Sequence, residues 1–204
     1  MTHPILIELP TPILTPRLIL RPPMAGDGKA VHEATVESMT ELKLWMRFAR
    51  EESSVEKAEV NARIALSKFI LREDLRMLFF DRNTGSLIGS TGLHHCNWDY
   101  RTFMIGYWVR TSCAGKGYVT EAAHALTRYA FDELKATRVE IRCNASNLKS
   151  RGIPERLGFE LEAILKNEDT LAHPEITCRD HAYYARTSIE GLPALDVSWP
   201  SVMV

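Results

Sequence analysis

Trp108-Val109-Arg110-Thr111-Ser112-Cys113-Ala114-Gly115-Lys116-Gly117-Tyr118-Val119-Thr120-Glu121 is the stretch on which the fold turns. An apolar strand runs into a short loop holding two glycines one residue apart, and a helix opens directly after it. Glycine lets backbone approach a ligand closely. The first N–H groups of a helix have no intrahelical partner, and the helix dipole favours an anion there. The backbone of Ala114, Gly115, Lys116, Gly117, Tyr118, Val119 and Thr120 is therefore a candidate cradle for a diphosphate. Two other phosphate loops are excluded: there is no G-x-x-x-x-G-K-[ST] spacing, and Thr120 stands where G-x-G-x-x-G needs its last glycine. Taken alone, the glycine pair is equally a tight strand-to-helix turn.

The flanks make it more. Residues 101–109 are β-branched and aromatic and read as a strand. Val119, Ala122, Ala123, Leu126, Ala130 and Leu134 fall at helical spacing over 119–134, and residues 138–143 alternate as a strand does. Strand, loop, helix and strand form a βαβ unit with parallel strands and a right-handed crossover. Ligands of such units sit beyond the carboxyl ends of the strands, where the glycine loop lies. A second motif, Asn147-Leu148-Lys149-Ser150-Arg151-Gly152-Ile153-Pro154-Glu155-Arg156-Leu157-Gly158-Phe159, follows the second parallel strand and brings Asn147 and Ser150 to the same edge. In isolation Asn147 and Ser150 are plain helix-capping residues.

Taken together, the stretches resemble the GNAT superfamily of acetyl-CoA-dependent N-acetyltransferases, most closely the branch of ribosomal-protein N-terminal alanine and serine acetyltransferases. The likeness is carried by Ile105-Gly106-Tyr107-Trp108-Val109, by Gly115 to Ala122, by Asn147-x-x-Ser150 with Glu155-Arg156-Leu157-Gly158-Phe159, and by Asp180-His181-Ala182-Tyr183-Tyr184-Ala185-Arg186. Thr15-Pro16-Arg17-Leu18-Ile19-Leu20-Arg21-Pro22 is similar to that branch's first strand. The resemblance spans roughly residues 14–187. It implies an α+β (mixed α/β) fold: a twisted, mostly antiparallel mixed sheet with one parallel βαβ unit, flanked by helices. It also implies acetyl-CoA as co-substrate, with no metal.

The resemblance further implies that the pantetheine lies along the strand and pairs with backbone at Trp108, Val109 and Arg110. It would occupy the gap before strand 138–143, with Asn147 assisting. A backbone N–H near Val109 would meet the thioester oxygen. Ser150 stands where similar enzymes place a hydroxyl near the sulfur, which makes it the candidate general acid. Glu168 and Asp169 are the candidate base carboxylates, whose alternative is a solvated acidic turn. Trp45 and Met46 fall where similar enzymes shape the acceptor pocket, whose alternative is core packing. Glu155 is expected to make a structural contact in its helix.

The whole chain sets bounds. Its 204 residues suit one domain, with an extended arm at 1–13 and a tail at 188–204. With 25 Lys and Arg against 26 Asp and Glu, the net charge is −1, which argues against a dedicated nucleic-acid binder. Cys96, Cys113, Cys143 and Cys178 are widely spaced, so a reducing cytoplasm is expected rather than a disulfide framework. No run is long and apolar enough for a membrane span, so no membrane partner is expected. The resemblance leaves room for a homodimer. Gly26 to Ala49 reads as one or two helices. Ser53-Ser54-Val55-Glu56 reads as a capping box opening a helix to about Arg72, and strands at 76–81 and 86–95 flank the turn Arg82-Asn83-Thr84-Gly85. Strands at 16–21, 159–166 and 177–186 complete the sheet.

Three residues depart from the family pattern. Ala114 replaces a larger side chain at the start of the loop. Val119 replaces Gly or Ala, and its branched side chain is expected to crowd the diphosphate. Pro154 removes a helix bond to the carbonyl of Ser150 and clashes with it, so the helix is expected to start late, near Ser150 or Arg151, or to be distorted. His94 and His95 point to opposite faces of a strand and do not suggest a shared ion. Cys113 reads as a plain loop cysteine. The leading function is acetyl transfer to a protein N-terminal α-amine. The rivals are acetylation of a small amine (an antibiotic, polyamine or amino acid) and a non-catalytic acyl-CoA-binding module.

Overall fold

The computed structural model describes residues 3–168, 175 and 177–201. One eight-stranded sheet organises the chain: β1 (Ile13–Leu14), β2 (Leu18–Arg21), β3 (Leu75–Asp81), β4 (Leu87–Asn97), β5 (Thr102–Val109), β6 (Arg138–Asn144), β7 (Glu160–Leu165) and β8 (His181–Arg186). Spatially they run β1-β2-β3-β4-β5-β6-β8-β7, and every pairing is antiparallel except β5 with β6. The expected mixed, mostly antiparallel sheet with one parallel unit is the one observed. Five α-helices flank it: α1 (Gly28–Glu37), α2 (Met39–Trp45), α3 (Val55–Leu71), α4 (Tyr118–Asp132) and α5 (Leu148–Arg156).

Strand alternation splits the core between the two faces of the sheet. Phe103 and Ile105 of β5 join Met77 and Phe79 of β3 against Ala122, Leu126 and Tyr129 of α4. Trp108 of β5 and Leu78 of β3 instead join Val31, Leu42 and Ala58 from α1, α2 and α3. The β3–β4 turn closes as its sequence suggests: Gly85 has φ +70, and the Asp81 carboxylate accepts from the N–H groups of Asn83 and Thr84.

Three expectations change. The capping residue of α3 is Ser54, whose hydroxyl accepts from Lys57 N–H at 3.1 Å. That register puts Glu56 one position short of closing a capping box. The arm contributes a strand, β1, that its two-residue length hides from periodicity. The tail is held in three places: Ser198 exchanges backbone bonds with Leu14, Trp199 packs edge-on to Tyr129 with its N–H on Glu133, and Pro193 accepts from His124. Among the described residues no helix is long and apolar enough to cross a membrane.

Candidate active site

The site begins where two parallel strands part. β5 and β6 pair from Thr102↔Arg138 to Ile105↔Ile141 and no further. Beyond that point β5 stays on β4, while β6 stays on β8. The Arg110 N–H bonds to Ile88 O at 2.8 Å, on the β4 side. Strand alternation therefore turns the backbone of Val109 and Tyr107 the other way, into the gap. Of the residues expected to pair with pantetheine, Val109 offers its N–H to the gap, and Arg110 does not. A cavity of about 340 Å³ lies at the splay, lined by Ile105, Gly106, Tyr107, Cys143, Asn147 and Ser150 together with Trp45, Met46, Arg47, Arg142, Asn144 and His181. Gly106 packs closely on β4, since a Cβ there would stand 2.9 Å from the His94 ring.

The glycine loop lies at the same end. Gly115 and Gly117 have φ of +73 and +79, a region that other residues enter only with strain. The first α4 bond runs from Glu121 N–H to Gly117 O. Among the described residues the N–H groups from Gly115 to Thr120 have no protein partner, as an anion cradle requires. Val119 does not crowd this edge, since its side chain packs against the core beneath α4.

The loop is also held from outside in ways the sequence does not reveal. Buried Glu121 accepts from Thr15 Oγ1, Arg17 N–H and Arg17 Nε. The Arg17 guanidinium lies over the Tyr118 ring, 4.6 Å from its centroid, and donates to Lys116 O at 2.9 Å. Arg156 donates to Thr120 Oγ1 at 3.1 Å. Arg17, Lys116 and Arg156 thus add cationic charge at the open helix end. Upstream, Glu37 of α1 accepts from Ser112 N–H and Arg110 Nε. Bonds from Ser112, and then from Arg110, lower the Glu37 carboxyl to about 2.

Ser150 and Pro154 form one device. The helix α5 does not start late: Asn147 caps it, its Oδ1 accepting from Ser150 N–H at 3.1 Å. Residue 154 would normally donate to the carbonyl of residue 150, and proline has no N–H to give. The freed Ser150 carbonyl accepts instead from the Tyr107 hydroxyl at 3.1 Å, and the same hydroxyl lies 3.2 Å from Ser150 Oγ. Burial pushes the Tyr107 phenol well above its ordinary range, so it stays protonated. The result is a neutral hydroxyl pair, Tyr107 and Ser150, at the cavity wall. Burial also raises the neighbouring Cys143 thiol.

The carboxylates divide. Glu155 makes a structural contact within α5, with Arg151 at 3.6 Å, and a shorter one across to β8, accepting from the Tyr184 hydroxyl at 2.7 Å. Glu168 lies on the turn after β7, accepts from the Tyr183 hydroxyl, and has His181 Nδ1 at 3.7 Å. Asp169 lies outside the described residues. Trp45 and Met46 both line the cavity, and Met46 also packs against the α1–α2 core. His94 bonds Asp74 at 2.7 Å, and His95 is exposed. Tyr107, His181, Arg47 and Arg142 line the site and escaped assignment, although Tyr107 and His181 fall inside the family-like stretches.

A sequence model described as an acetyltransferase (GNAT) domain matches residues 17–160. YdaF of Bacillus subtilis (strain 168), provisionally named a ribosomal N-acetyltransferase, is 33% identical over 141 residues, covering 65% of this chain and 72% of that protein. The ribosomal-protein-serine acetyltransferase of Escherichia coli (strain K12) is 27% identical over 127 residues, covering 62% of this chain and 68% of the relative. Among solved structures, RimL, a ribosomal L7/L12 α-N-protein acetyltransferase in complex with coenzyme A, superposes with a TM-score of 0.75 at 22% identity, over 85% of this chain and 95% of RimL.

Proposed function

Because this chain belongs to the acetyltransferase (GNAT) family, we propose that it carries acetyl from acetyl-CoA to a protein N-terminal α-amine, by direct attack in a ternary complex. One observation carries the choice of acceptor. Among the described residues, the cavity beside Ser150 is lined by two arginines, Arg47 and Arg142, and by no carboxylate. A polycationic acceptor, such as a polyamine or an aminoglycoside, would meet like charge there at a cost that rises as water is excluded. A peptide terminus brings a single amine on a chain that can carry acidic groups. The names of the relatives point the same way.

The residues fit the donor. The free N–H groups from Gly115 to Thr120, with Arg17, Lys116 and Arg156 around them, suit the diphosphate. The open edge at Tyr107 and Val109 suits the pantetheine amides, as an added strand would. The Val109 N–H, turned away from β4, suits the thioester oxygen as it gains charge, a contribution of roughly 3–4 kcal/mol for such a donor. The Ser150–Tyr107 hydroxyl pair supplies the proton for the departing sulfur. An α-amine has a pKa of about 7.7–8.0 against about 10.4 for lysine, so a large share is already neutral and a modest base suffices. The features that favour a non-catalytic module lose force: Val119 packs inward, and Pro154 serves to join Tyr107 to Ser150.

Thiol release from acetyl-CoA tests the reading. The acceptors are peptides with free Ser or Ala N-termini, the same peptides N-terminally blocked but carrying lysine, and a panel of small amines. Release with free N-termini alone is expected. Release with small amines alone moves the function to metabolite modification, and coenzyme binding with no release supports the binding module.

A further inference from the structure

Resting on the acetyl-transfer reading, we propose that His181 is the base that accepts the proton of the attacking amine, and that Glu168 holds its imidazole in the working tautomer. His181 stands on β8 directly across from Asn144 of β6, and its ring lines the same cavity as Ser150, Asn147 and Tyr107. Its Nδ1 is closed off from solvent and has no hydrogen-bond partner. A carboxylate oxygen, Glu168 Oε2, lies 3.7 Å away. The accessible edge of the ring is therefore the one that carries Nε2.

A buried imidazole nitrogen facing a carboxylate keeps its proton, and the other nitrogen then presents a lone pair. That is the arrangement of an oriented general base. Glu168 is itself positioned: the Tyr183 hydroxyl donates to its Oε1, and the Tyr183 ring lies beneath the Arg142 guanidinium at 4.6 Å. The turn that carries Glu168 is tied to the residue before β8, because Asn167 N–H bonds the Asp180 carboxylate at 3.0 Å. At 3.7 Å the pair is longer than a hydrogen bond but within ion-pair reach, so a small rotation of either side chain closes it. Among the described residues, the charged and titratable groups around the ring include Glu168 on the turn, Asp180 just before β8, Tyr183 on β8, Arg142 on β6, and Arg47 after α2.

The step balances. The amine nitrogen bonds to the thioester carbon as the carbon–sulfur bond breaks. The proton released from nitrogen passes to His181 Nε2. The sulfur takes a proton from the Ser150–Tyr107 pair, which solvent refills, and the imidazolium returns its proton to water.

The test is steady-state thiol release with a Ser-terminated peptide and acetyl-CoA, on wild type, His181→Gln, His181→Ala and Glu168→Gln. His181→Gln is expected to lower kcat/KM by about 100-fold, the low end for a general base because the acceptor amine is already partly neutral. Affinity for acetyl-CoA, measured by calorimetry, stays within about twofold and reports that the variant is folded. Added imidazole restores His181→Ala, more strongly for imidazoles of higher pKa, a response that a structural residue would not give. Glu168→Gln is expected to lose about tenfold and to shift the acid limb of the pH profile. Wild-type rates in His181→Gln, or an imidazole series without effect on His181→Ala, overturn the assignment of the base alone. A wild type that releases thiol with no amine overturns both this assignment and the acetyl-transfer reading.

Discussion

Pro154→Ala isolates the device that joins α5 to β5. The alanine restores an N–H at position 154, which competes for the Ser150 carbonyl now bonded by the Tyr107 hydroxyl at 3.1 Å. One neutral hydrogen bond contributes about 1 kcal/mol net, or about fivefold in rate if it serves only to orient the hydroxyl pair. Folding should not suffer. An interior proline costs a helix about 3 kcal/mol, and losing the ring of the buried Pro154 costs about 1.6 kcal/mol for two methylenes. The variant is thus expected to be as stable as wild type or slightly more so, while kcat falls about fivefold. Tyr107→Phe removes both contacts to Ser150, about 2 kcal/mol, and is expected to lower kcat about 30-fold. The decisive assay is the double-mutant cycle, with kcat from thiol release at saturating acetyl-CoA and melting temperatures alongside. In the Tyr107→Phe background, Pro154→Ala should change kcat by less than about twofold, a coupling of about 1 kcal/mol. An equal fivefold loss in both backgrounds would show that the proline acts through helix shape, not through Tyr107, and would refute the reasoning.

Three further outcomes follow from the site. Arg17→Gln removes the guanidinium beside Lys116 O and is expected to weaken coenzyme A binding about 5- to 10-fold, more at low salt, by calorimetry; unchanged affinity would move the diphosphate away from this loop. Glu37, lowered from 4.5 to about 2 by Ser112 and Arg110, contributes stability that is complete above pH 4.5 and lost as pH falls towards 2. The stability gap between wild type and Glu37→Gln, expected to be below about 1 kcal/mol for so exposed a pair, should therefore shrink over that window in pH-dependent thermal melts. Arg47→Glu is expected to invert acceptor preference, from Ser-terminated peptides with acidic second and third residues to basic ones, by about tenfold in kcat/KM; an unchanged ratio would remove Arg47 from acceptor recognition.

The glycine loop, the helix behind it and the parallel strand after it were legible because each is written locally. Two glycines at positive φ, an apolar stripe at helical spacing and a short alternating run need no distant partner to be recognised. Asn147 and Ser150 were legible through the motif that contains them. The reading of Pro154 as forcing a late start failed for a local reason: Asn147 caps the helix and begins it at Leu148. What the missing N–H releases could not be foreseen, since Tyr107 lies 43 positions away. Arg17 and Glu121, 104 positions apart, meet because β2 and the start of α4 converge at one edge. No periodicity records such a meeting.

The sequence by itself determined the family, the mixed sheet with its parallel unit, and the loop that would receive a diphosphate, because backbone preference and side-chain spacing act over a few residues. Only the tertiary structure decided that β5 and β6 part after Ile105 and Ile141, that Tyr107 turns onto Ser150, and that Glu168 stands behind the cavity-lining His181. Those outcomes depend on strand register and on the closure of long loops, which bring together side chains that carry no local trace of one another.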